Sequence, residues 1–558
     1  MLTVTDRRIT VDTRTLTAVL DSGLITSLVR KSDGRTLLRS GADAAPALQL
    51  VYGKDEVVPL GGPPDSQVRC LRLNDHHAEV RIESWHGDGV IAVREDVASG
   101  DLVIEPSAYA SRPGLRACRW TIAGIDPALE LIAPFWQGIR LPLADTLIRN
   151  TLWEWPLRWE AGLAILHGED GGLWVHCRDT QYRYKNLQVG SDDDARRIAL
   201  DSENYGPLDD RLAAGGLAWR INTYEGDWQG PAGMYRQWLA RAYQLEGRDH
   251  PEWIRDLRLA ISWCPTDPAV PDALAAHVDP KYVLLHLPNW RTDGYDENYP
   301  TFQASAAGRA FIGKARSMGF RVMPHCNAID MDPTHPVYPY VRDFQYRNAI
   351  GNRVHGWSWM DGNAHPVPES NAARMRHRSE KVMVKVHPGL AMWRSILAEN
   401  VQAAVNDLSL DTVFLDVTHN AWNLANCFVE NMTCVEGMKR LIAQVAGIEG
   451  VRVVGGEGRH EVVATEQTLS QVHLFFSSGH VNVPGLERTG RCAVSEFLFG
   501  NWSRSFGYSW LNGDTPESRL RMQLHIDLGA IPTLTIQSAK ELEQPNDGVK
   551  QVLKAASA

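Results

Sequence analysis

The sequence predicts two architectures in succession, an antiparallel β-sandwich followed by a TIM (β/α)8 barrel. Up to about residue 228, short alternating segments are separated by turn signals without intervening helices, which is typical of a large sandwich. From Leu257 onward, buried strand-like runs alternate with helical ones over about 300 residues, which favours a barrel. A chain of 558 residues is also long enough for two large units.

The predicted boundaries follow this change in pattern. We expect the sandwich over residues 1–228, a linking helix region over 229–256, and the barrel over 257–558 with an insertion at about 330–383. Pro231–Tyr243 is apolar at helical spacing, and a proline at its start suits a first helical turn. The insertion is rich in Pro, Gly and His and follows the third strand of the barrel.

The sandwich strands are short and closely spaced. Arg8–Val11, Leu16–Leu20 and Leu24–Val29 alternate apolar and polar residues, and Asp21-Ser22-Gly23 marks a turn between the second and the third. The same pattern recurs through Leu217–Thr223, so the whole segment is predicted to be antiparallel sheet.

Seven of the eight barrel strands can be assigned from buried runs. We expect helices at Ser305–Ser317, Ala391–Asp407 and Val435–Ala446 between them. The predicted strands are, in order, Leu257–Trp263, Tyr282–Leu287, Phe320–His325, Thr412–Asp416, Val451–Gly455, His473–Phe476 and, as the eighth, Ile531–Ile536. The seventh is not assigned.

The composition excludes several classes of function. Lys and Arg total 57 against 67 Asp and Glu, which gives a net charge of -10. Because basic and acidic residues are interspersed along the chain, no nucleic-acid partner is indicated. No apolar run reaches the ~18 residues of a membrane span, so no membrane partner is expected. The polar start lacks the plan of a signal peptide, and eight cysteines without CxxC pairs favour reduced thiols; both predict a cytoplasmic protein. A homo-oligomer stays open.

Two carboxylates end consecutive predicted strands. Asp416 ends the fourth strand and Glu457 ends the fifth, and the reactive groups of such barrels lie at the C-terminal ends of the strands. Neighbouring strands lie about 4.8 Å apart, which suits the 5–5.5 Å carboxylate separation of a retaining glycosidase. One carboxylate would attack the anomeric carbon and the other would carry the proton, with Glu461 as the rival for the second role.

Other residues near the predicted strand ends are candidates for binding carbohydrate, the expected substrate. The chain has 19 Trp, and indole rings stack well on partly polar ligands. Nine of these tryptophans fall in the sandwich half, where packing explains them. The candidates that lie at strand ends or in the insertion are Trp263, Asn289, Trp290, His325, Trp357, Trp359, His419, Trp422, His460, Glu461 and His480.

A metal-dependent hydrolase is the first alternative. His325, Asp330, Asp332 and His335 lie within eleven positions, although the sequence has no His-x-His on the first strand and no HExxH. Sugar-binding or loop-bracing histidines are favoured over a catalytic metal, so neither a metal nor a cofactor is predicted. A structural calcium ion at Asp330 and Asp332 stays open. The second alternative is a non-catalytic carbohydrate-binding protein on a degenerate barrel.

Three motifs resemble a known group of enzymes. The motif GDWQGPAGMYRQW (residues 226–238) joins the sandwich to the barrel, FLDVTHN (residues 414–420) lies on strand four, and GGEGRHE (residues 455–461) lies on strand five. The layout is similar to a galactose-mutarotase-like sandwich joined to a catalytic barrel, as in the endo-α-N-acetylgalactosaminidase and α-N-acetylgalactosaminidase group. The resemblance implies a retaining α-glycosidase in which Asp416 is the nucleophile and Glu457 the acid/base. We expect the chain to end just after the barrel, without the β domain common in such enzymes, which favours small glycosides or oligosaccharides as substrates.

Overall fold

The computed structural model describes residues 1–41, 46–53, 56–61, 66–192, 195–248, 250–360, 363–366, 381–473 and 492–557. The chain divides into two compact units, one built mainly of residues 1–244 and the other mainly of residues 245–482 and 495–558. None of the helices in these described ranges combines the length and the apolar character needed to cross a membrane.

The first unit consists of antiparallel sheets followed by one helix, α1 (Gln229–Ala242). Its strands are β1 (Leu2–Val4), β2 (Arg8–Asp12), β3 (Leu16–Asp21), β4 (Leu24–Arg30), β5 (Thr36–Arg39), β6 (Leu48–Tyr52), β7 (Glu56–Leu60), β8 (Ser66–Asn74), β9 (His77–Ser84), β10 (Gly87–Asp96), β11 (Asp101–Ala110), β12 (Leu115–Ala123), β13 (Glu130–Ala133), β14 (Ile139–Pro142), β15 (Thr151–Glu154), β16 (Leu163–Gly168), β17 (Gly171–Cys177), β18 (Lys185–Asp192), β19 (Ala195–Glu203), β20 (Ala213–Gly215) and β21 (Trp219–Glu225).

These strands form three sheets. The first has the order β1-β2-β3-β4-β5, the second β14-β13-β16-β17-β21-β11-β10-β9-β8 with β20 beside β11, and the third β15-β18-β19-β12-β6-β7. Strand β3 shows why they form, because it buries every second residue. Ser22 and Gly23 connect β3 to β4 with positive φ angles of 51° and 91°, as a two-residue hairpin turn requires. The predicted sandwich is confirmed.

Five of the 19 tryptophans pack deep in this unit's interior. The indole rings that are almost fully buried there are those of Trp120, Trp153, Trp159, Trp174 and Trp219. Because a buried ring cannot stack on a ligand, these residues contribute to packing and not to carbohydrate binding.

The second unit alternates strands with helices. Its strands are β22 (Leu259–Ile261), β23 (Val283–Leu287), β24 (Arg321–Asn327), β25 (Asp330–Met331), β26 (Gly356–Met360), β27 (Asn363–Pro366), β28 (Val382–Lys385), β29 (Thr412–Asp416), β30 (Val453–Glu457), β31 (Leu469–Val472), β32 (Arg504–Gly507) and β33 (Thr533–Leu534). Its helices are α2 (Trp253–Asp256), α3 (Val270–Ala275), α4 (Ala306–Ser317), α5 (Tyr338–Val341), α6 (Ala391–Leu408), α7 (Cys434–Ala446), α8 (Val494–Phe499), α9 (Pro516–Asp527), α10 (Lys540–Glu543) and α11 (Asp547–Ser557). Short 3-10 turns cover Pro280–Tyr282, Arg342–Phe344 and Val463–Thr465.

Eight parallel strands of this unit make the predicted barrel. Their order is β33-β22-β23-β24-β29-β30-β31-β32, and a parallel bridge between Phe506 and Ile531 joins the two ends. One cluster of the core takes a residue from each strand or its flank: Ala260, Leu284, Met323, Phe414, Val453, Leu469, Phe506 and Ile531. Since one side chain from each strand position fills the centre, the barrel is a packed core whose reactive groups lie at its ends.

Two strands lie where the sequence did not predict them. The sixth barrel strand is β31, which begins at Leu469, four residues before the predicted start at His473; residues 474–476 of the predicted strand lie outside the described residues. The unassigned seventh strand is β32, which is followed directly by Tyr508. The predicted insertion contains β26 and β27, which belong to a separate four-stranded antiparallel sheet of order β25-β28-β26-β27.

Candidate active site

The two carboxylates of the sequence prediction lie side by side at the C-terminal ends of the barrel strands. Asn327 of β24 is paired with Asp416 of β29, and Leu415 is paired with Gly456 of β30. The next residues in register are Asp416 and Glu457, on strands that neighbour each other at about 4.8 Å. Both side chains are buried. Three consecutive strands therefore deliver polar groups to one point.

Asp416 is surrounded by hydrogen-bond donors. Its Oδ2 accepts from Asn327 Nδ2 at 3.3 Å and from the Tyr295 hydroxyl at 3.4 Å. His325 Nε2 lies 3.5 Å from the same oxygen. The Asn327 amide also donates to Asp330 Oδ2 at 3.1 Å, so it joins two buried carboxylates. The negative charge of Asp416 thus faces three polar side chains.

Asp330, the second carboxylate bound by Asn327, is held by a cation. Lys385 Nζ lies 2.8 Å from Asp330 Oδ1, and both side chains are buried. The same ammonium lies 3.8 Å from the centre of the Trp357 ring. A positive charge thus lies one residue away from the Asp416 network.

Glu457 has a different set of partners. The Val417 N–H donates to its Oε2 at 3.0 Å, and His473 Nε2 lies 2.9 Å from its Oε1. His419 Nδ1 is 3.4 Å from Oε2. The residue that follows Asp416 in the chain therefore binds Glu457 directly, which couples the positions of the two carboxylates.

The pKa values of the pair diverge. Burial raises the pKa of Asp416 to about 6, the charge of Glu457 adds to this shift, and His325 opposes it. Burial also favours neutral Glu457, but the charge of His419 and the hydrogen bond from His473 outweigh it and hold the pKa of Glu457 below its ordinary value. Below about pH 6 the free pair carries one proton, and Asp416 binds it more tightly than Glu457 does.

The backbone around the pair is shaped for close packing. Val417 has a φ of 57°, which is unfavourable for a β-branched residue, and this turn aims its N–H at Glu457. A Cβ on Gly456 would lie 2.1 Å from Gln467 Oε1 and 2.6 Å from Thr418 Oγ1, so only glycine fits there. This close approach explains the glycines before the strand-five carboxylate.

Aromatic rings flank the pair. Trp263 follows the first barrel strand, and its ring contacts those of Tyr295 and Tyr508 at centroid distances of 5.3 and 5.8 Å. The Tyr508 ring stacks on His473 at 4.1 Å. Trp263 is half-buried, so part of its ring is left to meet a ligand beside Asp416.

Two predicted sugar-binding residues are closed off from a ligand. Trp290 is fully buried in the barrel core, and its indole Nε1 donates to the His325 carbonyl at 2.9 Å, so the prediction of a stacking surface was wrong. His460 is also fully buried, and its Nδ1 accepts from the Val462 N–H at 3.3 Å. Burial lowers the pKa of His460 to about 3. Both residues brace the structure beneath the strand ends.

The other predicted residues are spread over the strand-end loops and the insertion. Trp422 is half-buried against His355 at 5.0 Å, Asn289 is exposed, and Glu461 is buried. Trp357 of β26 donates from Nε1 to Asp296 Oδ2 at 3.1 Å. Trp359 lies on the same strand, but its side chain is outside the described part of the structure, as is the whole of His480.

Sequence reasoning missed several members of the site. Tyr295, Asn327, His473 and Tyr508 contact the pair or its partners, yet none was a candidate. Two of them carried a usable signal, since Asn327 ends strand three and His473 directly follows strand six. Tyr295 lies in a loop eight positions past strand two, where no periodic pattern could have indicated it.

The histidine and aspartate cluster of the metal alternative does not assemble. Both ring nitrogens of His335 are used, by Thr301 Oγ1 at 3.0 Å and by the Val337 N–H at 3.1 Å. Asp332 accepts from the Asn298 N–H at 2.9 Å. Within the described ranges, the set with metal-ligand geometry is a different one, His419, Glu457 and His473, whose ligand atoms all lie within 4.8 Å of one another.

Comparison with known proteins supports the fold. A family model described as a domain of unknown function, DUF6259, matches residues 217–437. No curated protein matches the sequence.

Solved structures match over nearly the whole chain. A ligand-free α-N-acetylgalactosaminidase, NagBb from Bifidobacterium bifidum, superposes with a TM-score of 0.67 at 14% identity, over 98% of this chain and 92% of that one. A GH31 family sulfoquinovosidase from E. rectale gives a TM-score of 0.57 at 10% identity, over 100% and 82%. An α-galactosidase from Thermus thermophilus gives 0.51 at 12% identity, over 84% and 92%. The sandwich-plus-barrel fold expected from the motifs is therefore confirmed.

Proposed function

We propose that this protein is a glycoside hydrolase that cleaves α-linked glycosides or oligosaccharides by a retaining double displacement. The observation that carries the proposal is the buried pair Asp416 and Glu457, in register at the ends of two adjacent barrel strands. A separation set by one strand spacing suits a nucleophile and an acid/base acting on one anomeric carbon.

Asp416 is the nucleophile in the proposed first step. One of its oxygens forms a bond to the anomeric carbon while the bond from that carbon to the glycosidic oxygen breaks. Glu457 gives its proton to the departing oxygen, which leaves as an alcohol. In the second step a water molecule gives a proton to Glu457, its oxygen bonds to the anomeric carbon, and Asp416 is released as a carboxylate.

Substrate binding favours the form of the pair in which Glu457, and not Asp416, carries the proton. The free pair binds its proton more tightly at Asp416, whereas the first step needs it on Glu457. A glycosidic oxygen accepts a hydrogen bond only from protonated Glu457, so a bound substrate favours that form. Asn327 and Tyr295 donate to Asp416 and favour its ionised form in the same state.

The α-anomeric preference is supported by the similar structures. Two of the neighbours are named as an α-N-acetylgalactosaminidase and an α-galactosidase, and these names specify α-linked glycosides. The third is named as a sulfoquinovosidase. Among the candidates for binding the sugar ring, Trp263 has the best-supported position, because its ring lies beside Tyr295, which contacts Asp416. His419, Trp422, Trp357, Trp359, Asn289 and His480 remain candidates.

The test is a screen of aryl α-glycosides with the wild-type chain and three variants. We expect Asp416→Asn to remove activity on every substrate, and Glu457→Gln to lower it about 10²–10⁴-fold on poor leaving groups but far less on activated ones. Asp411→Asn is the matched control, since this half-buried residue precedes the same strand at its opposite end. It should keep full activity.

The stereochemistry of the product tests the retaining course. Proton NMR of the first-formed sugar should show the α anomer before mutarotation. An inverted product, or an Asp416→Asn variant as active as wild type, would contradict the proposal.

A further inference from the structure

Three side chains converge from the ends of three consecutive barrel strands. Glu457 ends β30, His473 follows β31 directly, and His419 lies three residues past the end of β29. His473 Nε2 is 2.9 Å from Glu457 Oε1, and His419 Nδ1 is 3.4 Å from Glu457 Oε2. The mechanism proposed above uses only the carboxylate of this group.

The spacing suits a transition-metal ion. Zinc binds histidine nitrogen and carboxylate oxygen at about 2.0–2.2 Å, which places tetrahedral ligand atoms about 3.4 Å apart. The three ligand atoms here lie within 4.8 Å of one another, and of the two distances given above one equals the tetrahedral separation and the other is 0.5 Å shorter. A small opening of the His473–Glu457 contact is all that an ion requires.

The ligands are also held in place. The Tyr508 ring stacks on the His473 ring at 4.1 Å, which fixes its plane. The backbone N–H of His419 donates to the Glu457 backbone carbonyl at 3.0 Å, and the backbone N–H of Val417 donates to the Glu457 carboxylate. Residues already oriented in this way lose little conformational entropy when they bind an ion.

We propose that His419, Glu457 and His473 form a reversible binding site for a zinc-type divalent ion, and that the bound ion inhibits hydrolysis. The inhibition rests on the proposed function, because an ion on Glu457 takes the carboxylate that must carry the proton. Three protein ligands leave a fourth position open, so the ion can exchange with solvent ions and chelators. The site would make the enzyme sensitive to free zinc.

Isothermal titration of ZnCl₂ into the metal-free full chain tests the site without reference to activity. We expect saturable one-to-one binding in the wild type, and binding at least about 100-fold weaker in His419→Ala and in His473→Ala. His335→Ala is the control, since both of its ring nitrogens have partners elsewhere, and it should bind as the wild type does. Absence of one-to-one binding, or binding unchanged in both variants, would overturn the proposal.

Cobalt titration tests the same site without any substitution. Co²⁺ bound by two histidines and a carboxylate should give visible absorption bands that ZnCl₂ removes. A spectrum identical to that of Co²⁺ in buffer would count against the site even if a variant failed to fold.

The activity arm separates this proposal from the preceding one. Zinc should lower the rate on an aryl α-glycoside, and EDTA should restore it. Zinc that binds one-to-one without lowering the rate would refute the inhibition. A chain inactive on every α-glycoside that still binds zinc through both histidines would refute only the proposed function.

Discussion

At the scale of single residues, the proton shared by Asp416 and Glu457 determines the pH range of activity. The first catalytic step needs one proton on the pair, and the raised pKa of Asp416, about 6, marks where the free pair loses that proton. We therefore expect kcat/KM to fall about tenfold per pH unit above about pH 6. The profile should be measured on an aryl α-glycoside with EDTA present. A loss of activity on the acidic side of this value, in protein still folded, would contradict the assignment.

Asn327 affects the same loss of a proton from Asp416. Its amide donates to Asp416 and to Asp330, and an aspartate at this position could donate to neither. Because a third negative charge disfavours ionisation of Asp416, Asn327→Asp should raise the alkaline limit of the pH profile by about one unit and lower kcat. Asn400→Asp on α6 is the control. An unshifted profile would mean that Asn327 does not act on Asp416.

The residues that the sequence could predict are those whose position follows from a strand end. Asp416 and Glu457 close two apolar runs, so the barrel rule identified them directly. Trp290 also follows a strand, but its indole turns into the core to reach the His325 carbonyl. Direction of a side chain after a strand depends on tertiary packing, which no local pattern encodes.

At the scale of elements, the residue after helix α6 and a buried ion pair in the sandwich each affect the free energy of unfolding. Helix α6 is followed by its C-terminal cap, Ser409. This residue is exposed, and its φ of 53° and ψ of 44° lie in the left-handed region. Glycine adopts this conformation without the steric cost, so Ser409→Gly should stabilise the chain by about 0.5–1 kcal/mol. Urea unfolding measures the gain. Ser409→Ala keeps the steric cost and should show no gain; a gain of equal size in that variant would contradict the explanation.

In the sandwich, Arg119 of β12 and Asp201 of β19 form a buried cross-strand ion pair. The two residues are in register, and two hydrogen bonds of 2.6 and 2.8 Å join them. Asp201→Ala leaves the guanidinium buried without its carboxylate, which should cost about 3–5 kcal/mol in urea unfolding.

The exposed pair Arg69 and Glu83 is the matched control for that ion pair. Its N–O distance is 2.9 Å, but both side chains are more than half exposed. Glu83→Ala should cost less than about 1 kcal/mol, because water screens the charges. Equal losses for the two variants would contradict a role for burial.

The barrel elements also show where sequence patterns are too weak. Strand β32 has only four residues, Arg504–Gly507, and two of them are serine and glycine, so no apolar run identifies it. Strand β31 reads Leu-Ser-Gln-Val, and its polar Gln471 is buried, where Nε2 donates to Ser262 Oγ at 2.8 Å. A search for buried hydrophobic runs does not find strands whose inward residues are polar. His473 follows β31 and Tyr508 follows β32, so neither was predicted as a site residue.

At the scale of the whole molecule, the barrel unit buries many histidines in neutral form. Burial lowers the pKa of His355 and His387 to about 4 and of His460 and His525 to about 3. An unfolded chain protonates these groups near their ordinary value of about 6.5. Between these limits the unfolded state binds more protons, so the folded state loses stability as the pH falls below about 6.5. Activity is thus expected to fall above about pH 6, whereas stability falls below about pH 6.5.

His525→Leu provides the test of this pH dependence. Each histidine kept neutral by burial should cost the fold about 2 kcal/mol between about pH 7.5 and about pH 5. His525 is buried next to Arg521, and leucine at this position carries no proton in either state. The loss of unfolding free energy between the two pH values should therefore shrink by about 2 kcal/mol in the variant. Met522→Leu, a change of a buried side chain on the same helix that removes no titratable group, should leave that loss as in the wild type. If His525→Leu lost as much stability on acidification as the wild type, burial of neutral histidine would not account for the acid sensitivity of the barrel.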